Sequence, residues 1–375
     1  MMSIQRSIKI TMLSALLVMG LPILSVKAQS SVPRDAGQSS AAPTADKSFR
    51  NGMLIVGSST LQALTEKVLG EMYRSYKLAP ATVKPTGTGA GLEQFCGGIG
   101  ADFPDIAAAS RKIRKSEFEE CQENGVREII EIKIGLLPVM VVTRKGDPVF
   151  DITPRMFYLA LAKELPDETH FEDNDSMTWK DVAKGAPEVK ISVILPDETS
   201  GSRGFFDDFF LQAGCRHYPG INNIYAATER VPKCIKLRGG SHVIEIPEPY
   251  TDKLMGAFAK SPPGTLAVVG ELAYLRYKDQ LDYLPIAGVL PTRESVSDYS
   301  YSMVAFPRYY VKRAHMRNDQ GKGVVRGLRE FMRILSSEAF AGPGGVFDNA
   351  GLNPLMEGER DDVRKAVRRL QALGH

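Results

Sequence analysis

Val189-Lys190-Ile191-Ser192-Val193-Ile194-Leu195, followed by Thr199-Ser200-Gly201-Ser202-Arg203 and Gly204-Phe205-Phe206-Asp207-Asp208-Phe209-Phe210-Leu211, is the stretch on which the fold turns. Its first part is an apolar run rich in β-branched residues, the pattern of a buried strand. Its last part repeats aromatics at 205, 206, 209 and 210, which mark one face of a helix. A strand that turns through small hydroxyl residues into a helix leaves backbone N–H groups pointing at the turn, with the helix dipole behind them. Such a turn is either an ordinary Ser/Thr helix cap or an anion site. Arg203 adds a planar donor fork suited to tetrahedral oxyanions.

Repetition favours the anion site. Gly57-Ser58-Ser59-Thr60 follows a predicted strand at Met53 to Val56, and Gly87-Thr88-Gly89-Ala90-Gly91 follows a weaker one at Thr82 to Lys84. Ser110-Arg111 ends a third at Asp105 to Ala109. All four turns lie at the carboxyl ends of strands, the edge at which open α/β sheets bind ligands. The glycines at 87, 89 and 91 permit close backbone approach.

Strands and helices alternate outward from these turns. Leu61, Leu64, Val68, Met72 and Tyr76 give a helical stripe, and a short helix is expected around Leu92 to Cys96. Ile129 to Thr143 reads as a long strand broken by Gly135 and Pro138. Helices are expected near 153–164 and 204–213, then a strand from Thr265 to Gly270 leading into a helix through Tyr274. Val304 to Val311 reads as a single returning strand, and helices near 323–336 and 358–371 follow. This order implies an α/β fold with helices on both faces of mostly parallel sheets. From Met53 the globular body is long enough for two domains.

The first residues bear on compartment. Arg6 and Lys9 precede the apolar stretch Ile10 to Val26, and Val26-Lys27-Ala28 places small residues where a signal peptidase reads, so residues 1–28 are expected to be a secretory leader cut after Ala28. The Ser-, Ala- and Pro-rich residues that follow, 29–51, read as a flexible segment. Three of the 47 basic residues, Arg6, Lys9 and Lys27, lie in the leader and no acidic residue does, leaving 44 basic against 44 acidic residues. That balance argues against binding to nucleic acid or an anionic membrane. The four cysteines of an exported chain suggest disulfides, with three possible connectivities; Cys96–Cys121 and Cys215–Cys234 are favoured because each pair is close in sequence and the two are far apart.

Other chemistries find little support. Gly87 to Gly91 is not a complete G-x-G-x-x-G or G-x-x-x-x-G-K-[ST] motif, so no nucleotide cofactor is expected. No C-x-x-C accompanies the cysteines, and the acidic run Glu168 to Asp175 reads as a solvated loop, so no metal is expected either. There is no G-x-S-x-G elbow, and the five histidines support no triad.

Val56 to Thr60, Gly87 to Gly91 with Phe95-Cys96, Asp105 to Arg111 and Thr199 to Arg203, together with Gly264 to Gly270 and Gly342 to Leu355, resemble the periplasmic phosphate-binding proteins of ABC importers. The resemblance covers about residues 52–356. It implies a two-domain periplasmic binding fold of type II, with a hinge of crossing strands near 134–140 and 298–306. Domain I would comprise 52–137 and 300–375, and domain II 138–299. One inorganic phosphate would sit in the cleft, held by Ser59, Thr60 and the backbone of Leu61, by Thr88, Gly89, Ala90 and Gly91, by Ser110 and Arg111, and by Ser200, Gly201, Ser202 and Arg203. The resemblance further implies a non-catalytic monomer without cofactor that delivers phosphate to permease subunits. The alternatives are another oxyanion such as sulfate or a phosphorylated small molecule, a secreted phosphate-ester hydrolase, or a surface adhesin on the same scaffold.

This chain departs from the family pattern in three places. Ser110 stands where many members have an Asp whose carboxylate accepts the proton of hydrogen phosphate, and Asp197 or Glu198 are the substitutes nearest in sequence. Pro196 stands where many members carry an Arg, a charge that Arg111 and Arg203 could replace. Ser302-Met303-Val304-Ala305 differs from the Pro-Leu-Ser-Arg run common at the returning crossover.

Overall fold

The computed structural model describes residues 49–77, 80–166, 171–198, 200–222, 226–247, 250–318 and 320–374. The expected leader, the segment 29–48 and Thr199 lie outside the described residues. Among those described, no helix is long and apolar enough to cross a membrane.

Two sheets organise the chain. The first contains β1 (Met53–Gly57), β2 (Ala81–Lys84), β3 (Ile106–Ala109), β4 (Ile129–Lys133) and β13 (Arg308–Lys312), in the order β2-β1-β3-β13-β4. Both of its faces are covered, and the alternation along each strand shows why. Ile55, Ile106, Ala108, Ile132, Tyr309 and Val311 face α1 (Gln62–Tyr76) and the helix Leu328–Leu335. Val56, Ala107, Ala109, Ile129 and Tyr310 face α2 (Thr88–Cys96) and Cys121 of α3 (Lys115–Glu123). A strand buried on both sides must be apolar at nearly every position, as the central strands β1 and β3 are.

The second sheet runs β11-β5-β10-β8-β9, with β12 (Val304–Ala305) also on β5 (Leu137–Arg144). Its other strands are β8 (Val193–Pro196), β9 (Val243–Ile246), β10 (Leu266–Gly270) and β11 (Leu281–Tyr283); the short β6 (Glu164–Pro166) and β7 (Phe171–Asp173) pair separately. Val141, Val193, Leu195 and Val268 pack against Phe157 of α4 (Pro154–Leu161), Trp179, Phe206 and Phe210. The Trp179 ring meets Phe157 edge to face at 5.7 Å, an arrangement favoured by the ring quadrupoles. Met140, Val142, Ile194 and Val269 pack against Leu254 and Phe258 of the helix Tyr250–Lys260.

The expected parallel pairing holds for three strands in each sheet, β2-β1-β3 and β10-β8-β9. The remaining pairings are antiparallel because the chain passes between the lobes twice in opposite senses. It leaves β4 and enters β5 through 134–136, and returns from β12 to β13 through Phe306-Pro307, with β12 on β5 and β13 on β4. The expected single strand 304–311 is therefore two strands in two sheets, divided at a proline that has no N–H to donate. The strand expected at 189–195 starts at Val193, because Val189 and Ile191 bond instead to Trp179 and Met177. Both favoured disulfides, Cys96–Cys121 and Cys215–Cys234, are formed.

The glycine turn at 87–91 differs from the expected loop. Gly87, at a φ of 86°, makes the turn, and helix α2 begins at once with Thr88, so Gly89, Ala90 and Gly91 form its first turn. Gly91 is needed for contact: a Cβ there would lie 2.3 Å from Gly57 Cα. Gly91→Ala is expected to lower stability by about 1–3 kcal/mol in urea unfolding; an unchanged midpoint would show that the turn has room to move.

At the opposite end of β3, a buried polar cluster ties down the first sheet. Asp105 accepts from Arg50 Nη2 at 2.5 Å and from the Leu54 N–H at 2.7 Å. His315 Nε2 accepts from the Gly100 N–H at 3.1 Å, so Nδ1 carries the proton and donates to Asp105 at 2.7 Å. Lys312 Nζ donates to Gly98 O at 2.6 Å and lies 4.8 and 5.4 Å from the Phe95 and Phe103 ring centroids. Burial pushes its amine down to about 7, against the pull of Asp105 and with the push of Arg50. Between pH 7 and the ordinary lysine value near 10.5, the unfolded chain therefore binds more protons here than the folded one, and stability rises with pH. From pH 7 to 9 this group contributes a rise on the order of 2 kcal/mol. Lys312→Met should remove that part of the pH dependence, measured as urea midpoints at the two pH values.

Candidate functional site

The first three turns are knitted together by backbone before any side chain acts. The Ser58 N–H donates to Ala108 O at 2.8 Å and the Gly87 N–H to Gly57 O at 2.9 Å. Thr88 and Ser110, both buried, share a hydroxyl–hydroxyl bond of 3.0 Å, and the Ser110 N–H donates to Thr88 Oγ1 at 3.3 Å. After Ser58 the chain makes a short 3-10 turn, Ser59–Leu61, that leads into α1. The Leu61 side chain lies in the core, so only its backbone can face a ligand. Ser59 and Thr60 are half-buried and line a groove of about 910 Å³ between α1, Tyr250–Asp252, Leu272–Arg276 and Asp348–Gly351.

Arg111 is placed by a carboxylate that the sequence reading did not single out. Its Nη atoms donate to both oxygens of Glu117 at 2.8 and 2.6 Å, and Nη1 also reaches Lys112 O at 3.1 Å. Burial works to raise the Glu117 carboxyl, but the bonds and charge of Arg111 and the Arg114 N–H outweigh it and hold it below the usual range. Arg111 Nε is buried and has no hydrogen-bond partner among the described residues. An orphaned donor on a guanidinium fixed at its other edge is poised for an acceptor from outside the chain.

The fourth turn stands on the second lobe. The Asp197 N–H donates to Ile246 O, and the Ser200 N–H to Asp197 O, each at 3.1 Å. Helix α6 (Gly201–Phe206) follows and runs directly into a π-helical stretch, Asp207–Gln212; such stretches cluster at functional sites. Arg203 is buried, with Nε donating to Asp207 at 2.8 Å, Nη1 to Pro196 O at 3.4 Å and Nη1 also to Glu245. Burial raises the Asp207 carboxyl to about 6, with Arg203 acting in the opposite direction. The Arg203 charge is thus shared between two carboxylates of its own lobe.

Lobe meets lobe at two of the predicted turns. A Cβ on Gly204 would lie 3.5 Å from Arg111 Nε and 2.8 Å from Arg114 Nη2, so the third turn abuts the fourth. A Cβ on Gly270 would lie 3.8 Å from Thr60 Cγ2, so the first turn abuts the end of β10. Next to Gly270, Glu271 is raised to about 7 by burial, opposed by Arg293 and by the Asn353 amide at 3.3 Å. The sequence reading missed Glu117, Gly204 and Glu271; only Glu117 carried a signal, as the third residue of α3, where its carboxylate accepts from the Arg114 N–H at 2.7 Å.

The site therefore offers N–H groups at the starts of α1, α2 and α6, hydroxyls, and two arginines already matched with carboxylates. That is the chemistry of a small-anion receptor built on dipoles more than on net charge. Among the described residues, no group of three His, Cys, Asp or Glu side chains could hold a metal ion.

A PBP superfamily domain matches residues 36–337 of the chain. The protein SphX of Synechococcus elongatus is 30% identical over 181 residues, 48% of this chain and 50% of that protein. The phosphate-binding protein PstS of Staphylococcus epidermidis is 29% identical over 152 residues, 40% of this chain and 42% of that protein. The chain thus spans about half or less of the length of these curated relatives. Among solved structures, a possible phosphate-binding protein from Planctomyces limnophilus superposes with a TM-score of 0.54 at 18% identity, covering 86% of this chain and 100% of the other. The periplasmic phosphate-binding protein PfluDING, bound with phosphate, gives 0.58 at 16% identity, covering 84% and 93%. At such identities the structures establish the fold alone, and it is the two-domain fold of periplasmic binding proteins. By the match along most of its length, this chain belongs to the PBP superfamily domain family.

Proposed function

We propose that this protein captures inorganic phosphate between its two lobes and hands it to the permease subunits of an ABC importer. The observation that carries this reading is Arg111 Nε, buried without a partner among the described residues, next in the chain to Ser110, which bonds Thr88 at the start of α2, and facing Gly204 of α6. Ser59, Thr60 and the Leu61 backbone, Thr88 to Gly91, Ser110 and Arg111 form one wall of the site. Ser200 to Arg203 form the other. Arg203 orients the start of α6 through Asp207 and Glu245 and adds its charge from behind. Domain I comprises 52–137 and 300–375, and domain II 138–299. The chain is exported with cleavage after Ala28, works in the periplasm as a monomer, and binds without turning its ligand over. The curated relative named a phosphate-binding protein supports the choice of anion.

Ser110 gives a specific reason to consider other oxyanions. Its hydroxyl, bonded to Thr88, can accept a hydrogen bond from hydrogen phosphate but can equally donate one to sulfate. Calorimetric titration with phosphate and with sulfate at pH 6 and 8 separates the two. Phosphate bound and sulfate ignored is the expected result; equal affinity overturns phosphate specificity and leaves a general oxyanion receptor. Arg111→Ala is expected to weaken phosphate binding more than tenfold, from loss of about 1.5–3 kcal/mol of charge-assisted bonding. An unchanged affinity, with the fold intact by circular dichroism, would reduce that turn to a structural cap.

A further inference from the structure

We propose that Arg114 of the first lobe and Asp208 of the second form an electrostatic latch across the cleft rim, seated on the bare backbone of Gly204, and that this latch governs retention of the bound anion. The inference rests on reading the cleft as an anion site, and it concerns residues outside the ligand-contacting set proposed above.

Three observations carry it. Arg114 caps α3, which the Cys96–Cys121 bridge ties to α2, so its backbone is fixed in the first lobe. Its guanidinium lies against α6 at Gly204, where a Cβ would stand only 2.8 Å from Nη2. A Cβ at 204 would push the Arg114 guanidinium aside and would meet Arg111 Cδ and Nε at 3.5 Å. Four residues further along, Asp208 lies on the same side of the helix as Gly204. Although its side chain still reaches solvent, partial burial raises its carboxyl, and Arg114 and then Arg111 pull it back down. Two groups of its own lobe act the same way, Gln212, whose amide donates to Asp208 at 2.5 Å, and Arg216. Arg114 also acts on Asp207.

The division of labour between the two cations follows from their partners. Arg111 is bound at both Nη atoms by Glu117, which matches its charge. Among the described residues no ion pair within 4 Å joins Arg114 to any carboxylate, Asp208 included, so the two act on each other at longer range. Arg114 is therefore the cation whose attraction to Asp208 depends on the distance between the lobes. Opposite charges at a protein surface shift an equilibrium by up to about fivefold, enough to tune release without trapping the ligand.

Charge reversal and restoration test the pair. Arg114→Glu and Asp208→Arg are each expected to weaken phosphate binding three- to tenfold through faster dissociation, read by stopped-flow displacement. The double variant is expected to recover to within threefold of the parent. Backbone hydrogen exchange without phosphate gives a second measure: each single reversal should speed exchange in the partner lobe's segment, 201–212 for Arg114→Glu and 110–118 for Asp208→Arg, and the double variant should reverse it. Single effects that simply add in the double variant overturn the latch. If the parent fails to bind phosphate, the reading of the site is wrong, and the exchange measurements still decide whether the latch exists.

Discussion

The constraint on which the site depends is the distance at which two backbones can pass. Gly57 at the end of β1 and Gly91 in the first turn of α2 approach so closely that a single methyl group would collide. That approach allows the Gly87 N–H to reach Gly57 O, and the neighbouring Ser58 N–H reaches Ala108 O. Three strand ends that would otherwise be separate loops become one rigid floor. Only then can Thr88, at the start of α2, share a hydroxyl bond with Ser110, just after β3. For the anion proposed above, preorganisation of this kind would lower the ordering cost of binding, because the donors need not be gathered.

Electrostatics follows the same economy. Each arginine near the cleft that is buried has a carboxylate partner, Glu117 for Arg111 and Asp207 with Glu245 for Arg203. A buried guanidinium without such a partner would destabilise the fold, whereas a paired one is fixed in orientation. The result is a pocket that presents directed donors with little surplus positive charge. Selectivity in such a pocket is set by which lone pairs and protons the ligand brings, since few unpaired charges favour anions in general.

Much of this was legible in the sequence. The two-sided burial of the strands shows in runs such as Ile55-Val56 and Ile106 to Ala109, and the four strand-end turns show in their Gly, Ser and Thr content. The pairing of cysteines followed from their spacing. Two things were hidden. The boundary inside 304–311 is a matter of which sheet each half joins, and Pro307 alone does not reveal it. Asp207 lies one helical turn from Arg203, but Glu117 lies six residues from Arg111 and Glu245 42 residues from Arg203, and nothing local marks those two as their partners. The role of Gly91 inside α2 was equally invisible, because a helical glycine signals a close neighbour without naming it.

The two crossings have a mechanical consequence. Leu137 and Ala305 are register partners, so the chain enters and leaves the second sheet side by side. β4 and β13 are likewise neighbours in the first sheet, with Ile132 opposite Tyr309. A force applied between residues 53 and 312 is therefore carried by the β1-β3-β13 ladder of the first lobe, while the second lobe hangs from it as a loop closed at its base. Residues 53 and 312 lie at the same edge of that sheet, so stretching would peel its strands apart while leaving the second sheet unloaded, and the lobe bearing α6 is shielded from tension along the chain.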